Sequence, residues 1–239
     1  MRVVATVITM TESMAGSGGP SSLALLQLLR FSSPTLPIGG FAWSQGLETA
    51  IERSWVRDLE SLIGWLRAVL NSNFARQELP VLKRLLASPD QATEAGWNEF
   101  ILALRETSEL RSEDIQTGRA MRRLACSLGI IDAQQWPSPK EIAYVTAYAQ
   151  VCRHYRLDFE AAAVGMIWNW LDNQVAAAIK LLPLGQTDGQ RAIGALSEHI
   201  GAVLEAASTV ANEDIGISLP GQVMASMLHE TQYSRLFRS

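Results

Sequence analysis

The sequence predicts an all-α fold, a single-domain helical bundle of about eight to ten helices. From Ser22 onward the apolar residues recur at helical spacing along nearly the whole chain. Strand signals are almost absent, because the β-branched residues cluster only between Val3 and Ile8 and no Asn-Gly hairpin joins alternating runs. The chain has 239 residues, of which 48% are hydrophobic, and this is enough apolar material for one large buried core.

Aspartate residues mark the starts of three predicted helices, since their side chains can accept a hydrogen bond from the first free backbone N–H groups. Asp58 precedes a helix expected to end near Asn73, and Asp90 precedes a second amphipathic stretch. Asp158 precedes the most apolar segment of the chain, which continues to Leu182 and has little polar circumference. Such a helix belongs at the centre of a bundle or in an interface.

The clearest start signal in the chain is the sequence Ser138-Pro139-Lys140-Glu141. Ser138 can cap the helix, Pro139 suits the first helical position and Glu141 can complete a capping box. This helix is expected to continue through Cys152. Further helices are expected at about 78–87, over a segment that carries Met121 and Leu128 and stops at Gly129, from Thr187 or Asp188 through Leu204, and at about 223–228.

Charge and composition exclude several classes of protein. The chain has 24 acidic residues against 20 Lys and Arg, with a formal net charge of −4, so we expect no nucleic-acid binding. No apolar stretch approaches the roughly 20 residues needed to cross a bilayer, so we expect no membrane insertion. Two cysteines, Cys126 and Cys152, cannot form a disulfide framework, which favours a reducing cytoplasm. Residues 1–20 are expected to form a flexible leader and residues 21–239 a single domain.

The histidines and cysteines do not form a metal-binding motif. His154, His199 and His229 lie far apart in sequence, and Cys152 would point away from His154 on a helix. Residues 185–191 resemble a phosphate loop only superficially, because they lack the Gly-Lys-Ser/Thr ending and follow a helix instead of a strand. The sequence therefore predicts no catalytic residue, no metal ligand and no cofactor.

Residues 32–48 break the helical pattern without becoming polar. Pro34 and Pro37 fix their backbone φ angles, while Gly39 and Gly40 allow conformations or close approaches that other residues avoid. Two interpretations remain open. The segment is either a rigid corner between helices, packed under the aromatic residues that follow, or a preorganised loop that meets a partner.

Two charged segments are also open to two interpretations. The run from Arg105 to Asp114 mixes charges at helical spacing, pairing Arg105 with Glu109, and is either a solvated helix face or the polar rim of a docking surface. The C-terminal tail, residues 229–239, combines arginine, tyrosine and phenylalanine. It either frays or folds on binding a partner.

Three segments follow one another along the chain: Ser33 to Phe41 with Ser44 to Glu48, then Lys180 to Gln186, then His229 to Ser239. In this order they resemble the urease accessory protein UreF family. The resemblance extends from about residue 22 to the last residue and leaves out the leader.

The resemblance implies an all-α cytoplasmic chaperone, a homodimer that binds the accessory protein UreD (also called UreH) and recruits the GTPase UreG. In the family, this assembly docks on apo-urease and couples GTP hydrolysis to nickel insertion. The family member acts as a scaffold and is not an enzyme.

The resemblance also implies which residues bind partners. The corner residues shape a partner surface, and Lys180, a lone cation on an apolar helix, either snorkels or pairs across an interface. The tail is expected to become ordered against UreD. The expected partner-binding residues are Pro37, Gly39, Gly40, Glu48, Lys180, Tyr233, Arg235 and Arg238.

Two other functions remain open from the sequence. A small all-α enzyme would need a polar cavity with perturbed carboxylates, such as Glu48, Glu160 and Asp172. A nickel-binding metallochaperone would carry the ion through its own Cys152, His154, His199 and His229.

Overall fold

The computed structural model describes residues 21–132 and 140–239 and confirms the all-α prediction. In those two ranges the chain forms α-helices, two short 3-10 turns (Gly40–Ala42 and Asn212–Asp214) and one π-helical segment (Leu70–Glu78), with no strand. The α-helices are α1 (Ser22–Phe31), α2 (Leu47–Glu52), α3 (Leu59–Val69), α4 (Leu79–Leu86), α5 (Gln91–Ala103), α6 (Ser108–Ser127), α7 (Tyr144–His154), α8 (Phe159–Leu181), α9 (Gln186–Ser197), α10 (Ile200–Thr209) and α11 (Pro220–His229).

The three aspartate caps are confirmed. Each aspartate carboxylate accepts a hydrogen bond from the backbone N–H three residues further on, which satisfies a donor that has no partner inside the helix. The bonds run to Asp58 from Ser61 (2.9 Å), to Asp90 from Thr93 (2.8 Å) and to Asp158 from Ala161 (2.8 Å).

The predicted end of α3 near Asn73 is wrong, because the chain continues without a break through the π-helical segment into α4. Pro80 explains the widened turn, since it has no N–H for the carbonyl of Arg76. That carbonyl accepts instead from the backbone N–H of Gly216 at 3.1 Å. Asn73 does not stop the helix and bonds to residues near α11.

The predicted start of α7 is also wrong. Ser138 and Pro139 lie outside the described residues, and the helix begins at Tyr144 with no side-chain cap from its own segment. Its first N–H groups are satisfied by other helices: Ala143 donates to Asn98 at 2.9 Å and Tyr144 donates to Asp114 at 2.6 Å. Glu141 caps nothing and pairs with Arg111 at 2.7 Å.

The later helices follow the predictions with one difference. Gly129 has a φ of +70° just beyond the end of α6, as expected of a helix stop, and α11 contains the predicted 223–228 segment. The expected single helix through Leu204 is instead two helices, α9 and α10, separated at Glu198–His199. His199 bonds to Asn71 at 2.7 Å at this break.

The most apolar helix, α8, lies at the centre of the bundle, which is one of the two positions expected for it. It contacts α1, α2, α4, α9 and α10. Among its residues, Ala162, Ala163, Ile167 and Leu171 have no exposed surface. No helix within the two described ranges combines the length and the apolar character needed to span a bilayer.

Candidate partner-binding surface

The corner between α1 and α2 has buried side chains on one side and an exposed face on the other. Gly39 has a φ of +80°, a conformation that glycine adopts without strain, and it leads into the 3-10 turn of residues 40–42. Ile38 and Trp43 are buried on either side of this turn, whereas Pro37 is exposed. The corner therefore has a fixed shape and an accessible face.

Glu48 is buried on α2 and binds the tail directly. Its carboxylate accepts hydrogen bonds from the backbone N–H groups of Leu236 (2.7 Å) and Phe237 (2.9 Å). Bonds of this kind, to a charged acceptor away from water, are among the stronger ones in proteins. In the described chain, Glu48 therefore contacts the protein's own C-terminal segment.

The last residues of the tail pack against the start of α2. The backbone N–H of Ser44 donates to the carbonyl oxygen of Ser239 at 2.9 Å, and the Ser44 hydroxyl donates to the same oxygen. The N–H of Arg238 donates to the carbonyl of Ala42 at 2.9 Å. The bonds that hold the tail here belong to the chain itself, and its ordering against UreD stays a prediction.

His229, at the end of α11, lies between two carboxylates and has no exposed surface. Its Nδ1 is 2.8 Å from Glu109 and its Nε2 is 3.3 Å from Glu48. Arg235 donates to the other oxygen of Glu109 at 3.0 Å. Two acidic and two basic side chains thus join α2, α6, α11 and the tail.

The other predicted residues lie on or beside the tail. Lys180 is exposed at the end of α8, with its Nζ 5.7 Å from the centre of the Phe237 ring. The guanidinium of Arg238 is 5.8 Å from the Trp43 ring. Tyr233 is fully exposed. The structure therefore brings the corner, the end of α8 and the tail together, although they are far apart in sequence.

The predicted pairing of Arg105 with Glu109 is wrong, and Arg105 does not lie on a solvated helix face. Arg105 is 2.5 Å from Glu78 and 2.9 Å from Asp114, with its side chain 12% exposed. Burial opposes its charge, but the carboxylates of Asp114 and Glu78 outweigh burial and raise the pKa of the guanidinium. The charge run gave no sign of this buried bridge, because Glu78 comes from a distant helix.

A cavity of about 120 Å³ lies beneath the corner, next to this bridge. Glu113 borders it and accepts a hydrogen bond from the Gln45 amide at 2.9 Å, while its other oxygen has no partner among the described residues. Burial raises the pKa of Glu113 to about 8. The hydrogen bond from Gln45 opposes this increase, and the negative charge of Asp114 adds to it. Gln45 also accepts from the Trp170 indole N–H at 2.8 Å. Sequence reasoning missed both Gln45 and Glu113.

The acids considered for an enzyme site do not line this cavity. Glu48 is engaged with the tail, Glu160 is exposed, and burial raises the pKa of Asp172 elsewhere on α8. The acids that do border the cavity are Glu78, Glu106, Glu113 and Asp114, and its described lining residues include no histidine, cysteine or serine.

The side chains considered for nickel binding lie in different surroundings. Cys152 is fully buried in α7, and burial raises the pKa of its thiol to about 12. His154 is exposed at the end of the same helix, His199 sits at the α9–α10 break, and His229 lies between its two carboxylates. Within residues 21–132 and 140–239, no three or more His, Cys, Asp or Glu side chains are arranged to hold a metal ion.

Comparison with known proteins gives consistent matches. The UreF family profile matches residues 56–197. A urease accessory protein UreF from Hahella chejuensis is 42% identical over 220 residues, which cover 91% of this chain and 99% of that protein. One from Marinobacter nauticus is 44% identical over 232 residues, covering 96% of this chain and 99% of that protein. One from Psychrobacter cryohalolentis is 44% identical over 229 residues, covering 93% and 97%.

The fold and these matches place the chain in the class of all-α accessory proteins. The chain belongs to the UreF family of urease accessory proteins.

Proposed function

We propose that this chain is a non-catalytic adaptor of urease maturation, which bridges UreD and the GTPase UreG and supports the GTP-dependent insertion of nickel into apo-urease. We propose that it acts in the cytoplasm as a homodimer. Family membership supports the role in urease maturation, since the relatives match between 91% and 96% of the chain. Nickel is the cargo of this process, so the chain needs no metal site of its own.

The observation that carries the proposal is the convergence of three segments on one surface. The corner, the end of α8 and the tail meet through Glu48, Lys180 and Phe237. A surface assembled from distant segments has a defined shape, and defined shape lowers the entropy cost of binding a partner.

Exposed side chains on this surface support a contact with another protein. Tyr233 and Leu236 project from the tail into solvent, and Phe41 projects from the corner. Aromatic residues and arginine are enriched at protein interfaces. On α1, Leu23, Leu26 and Leu29 are each at least 60% exposed, and this apolar face suits a contact between two copies of the chain.

Size-exclusion chromatography with light scattering tests the proposal. The purified chain is examined alone, with UreD, and with UreD and UreG in the presence of a GTP analogue. We expect a dimer alone and a stoichiometric complex in each mixture. A chain that stays separate from both UreD and UreG contradicts the adaptor role.

A substitution at Tyr233 separates partner binding from folding. Its side chain is fully exposed, so Tyr233→Ala is expected to leave the free energy of unfolding unchanged while weakening the complex with UreD or UreG. Trp55→Ala, at an exposed aromatic residue outside the three segments, is the matched control. Equal binding by wild type and Tyr233→Ala removes Tyr233 from the proposed surface.

A further inference from the structure

A cleft on the outer side of the corner collects basic side chains. It runs between the corner and α6, with Pro37 and Phe41 on one side. Arg119 and Arg123, one turn apart on α6, lie on the other side, and Arg238 reaches it from the tail. All three arginines are exposed. The cleft therefore combines three positive charges from two separate elements.

These arginines have no acidic partner among the described residues. Arg119 donates to the carbonyl of Lys140 at 3.0 Å, and Arg238 donates to the amide oxygen of Gln116 at 3.2 Å, both neutral acceptors. No carboxylate of the described chain lies within ion-pair distance of Arg119, Arg123 or Arg238. Arg105, Arg111 and Arg235, by contrast, each pair with a carboxylate.

The acid on which the charge of Arg119 acts, Glu141, is already engaged. Glu141 lies close enough for the charge of Arg119 to contribute to lowering the pKa of its carboxyl, but the largest cause of that lowering is its hydrogen bond from Arg111. The guanidinium groups in the cleft thus keep donors available, in a chain whose formal net charge is −4. A local positive patch on an acidic protein favours encounters with an acidic surface.

The floor and rim of the cleft are apolar. Phe41 is 62% exposed on the rim, Trp43 is buried beneath it, and Ala120 lines it from α6. The 3-10 turn holds Phe41 in place. Arginines from two elements beside an apolar strip suit an extended segment with alternating acidic and apolar side chains better than they suit a single small anion.

We propose that this cleft docks an acidic segment of a partner protein. Carboxylates of the segment pair with Arg119, Arg123 and Arg238, and an apolar side chain packs against Phe41. The inference rests on the proposed function, in which the chain assembles with UreD and UreG, and it adds the chemistry by which one of them is recognised.

Charge reversal tests the cleft. The variant Arg119→Glu with Arg123→Glu is compared with Arg53→Glu and Arg67→Glu, a control pair of exposed arginines that changes the net charge equally. Dissociation constants for UreD and for UreG with a GTP analogue are measured over a series of salt concentrations. We expect the cleft variant to bind one partner about tenfold or more weakly, with a flatter salt dependence, and the control to bind as wild type does.

The other possible results overturn either the inference alone or the proposed function together with it. If wild type binds and the cleft variant binds both partners equally well, the inference is overturned and the proposed function stands. Equal weakening in the control also overturns it, because net charge then explains the effect. If wild type binds neither partner, the proposed function fails and the inference fails with it.

Further measurements test whether the variants stay folded and whether the cleft binds a small anion or a second copy of this chain instead. Circular dichroism and thermal melting check that the cleft variant is folded, and Phe41→Ala with Arg123→Gln serves as a second variant if it is not. Tight binding of inorganic phosphate or GTP by the isolated wild-type chain, lost in either variant, would overturn the proposal in favour of a small-anion site. Loss of the dimer in the folded variant would overturn it in favour of a second copy of this chain.

Discussion

The carboxylate of Glu48 accepts a hydrogen bond from the backbone N–H of Phe237 at 2.9 Å, although the two residues are 189 positions apart in sequence. The Phe237 side chain is 7% exposed, so the tail is both bonded and packed at this point. The same carboxylate lies 3.3 Å from His229. One buried acid on α2 therefore contacts both His229 at the start of the C-terminal segment and the backbone at Leu236 and Phe237.

Replacing Glu48 with glutamine is expected to lower the free energy of unfolding by about 2 to 3 kcal/mol. The neutral amide keeps a single acceptor oxygen and loses the charge that faces His229. Urea denaturation measures the loss, and amide exchange at Leu236 and Phe237 should accelerate. Glu52→Gln, at an exposed position on the same helix, should change stability little. Equal stability of the two variants would show that Glu48 does not hold the tail.

Replacing Gly118 with alanine is expected to destabilise the protein by about 2 to 4 kcal/mol, because the backbone leading into α7 packs in close contact with α6 there. A Cβ at Gly118 would overlap the carbonyl oxygen of Ile142 and lie 2.6 Å from the carbonyl carbon of Ala143. Both are backbone atoms and cannot move aside as a side chain does.

The control for this change is Gly64→Ala on α3, where a Cβ meets no atom within 4 Å. That substitution should raise the free energy of unfolding by about 0.5 to 1 kcal/mol, since alanine favours the helix. Thermal melting of both variants measures the difference, and a stable Gly118→Ala protein would contradict the described packing.

Glu113 is expected to make stability depend on pH. Burial raises its pKa to about 8 from an ordinary value of 4.5, so the folded chain binds this proton more tightly than the unfolded chain does. The stability that this group contributes is fully present below pH 4.5 and is lost as the pH rises toward 8.

Glu113→Gln resembles the neutral acid and should remove this dependence. Denaturation at a series of pH values measures the free energy of unfolding for the variant and for wild type. We expect the variant to gain on wild type as pH rises, by at most about 1.4 kcal/mol per pH unit. Glu99→Gln, at an exposed position on α5, controls for the loss of one charge. A constant difference between Glu113→Gln and wild type would mean that Glu113 is ionised throughout.

Replacing Gly39 with alanine is expected to cost about 1 to 2 kcal/mol through backbone strain alone. Its φ is +80°, and a Cβ there meets no atom within 4 Å, so no clash adds to the strain. We expect the folded variant to recruit UreG less well, because the corner changes shape. Urea denaturation and co-purification with UreG measure the two effects. Gly40→Ala, whose Cβ would lie 3.3 Å from the Asn173 amide nitrogen, shows whether side-chain bulk alone has the same effect.

The helix caps and the corner were accessible from the sequence because local chemistry decides them. Asp58, Asp90 and Asp158 each bond to a backbone N–H three residues away, so their partners are fixed by sequence spacing. The predicted start at Ser138-Pro139-Lys140-Glu141 had equally good local chemistry. It was wrong because Asn98 and Asp114, from other helices, satisfy the first N–H groups of α7.

The candidate site likewise combines segments that the sequence identified with contacts that only the packing of the chain creates. The sequence identified the corner, Lys180 and the tail as unusual segments, but their distance along the chain gave no sign that Phe237 would lie between Glu48 and Lys180. The cavity beside Glu113 was not foreseen, since a single glutamate in a charge run resembles any solvated residue.

The sequence alone determined the all-α class, the apolar character of α8 and the aspartate-capped starts of α3, α5 and α8, because apolar periodicity and capping act over a few residues. Tertiary structure decided which carboxylate meets which base. Arg105 pairs with Glu78 and Asp114 instead of Glu109, and Glu109 contacts His229. Such pairs form between residues that packing brings together, and the desolvation of the charges depends on everything packed around them.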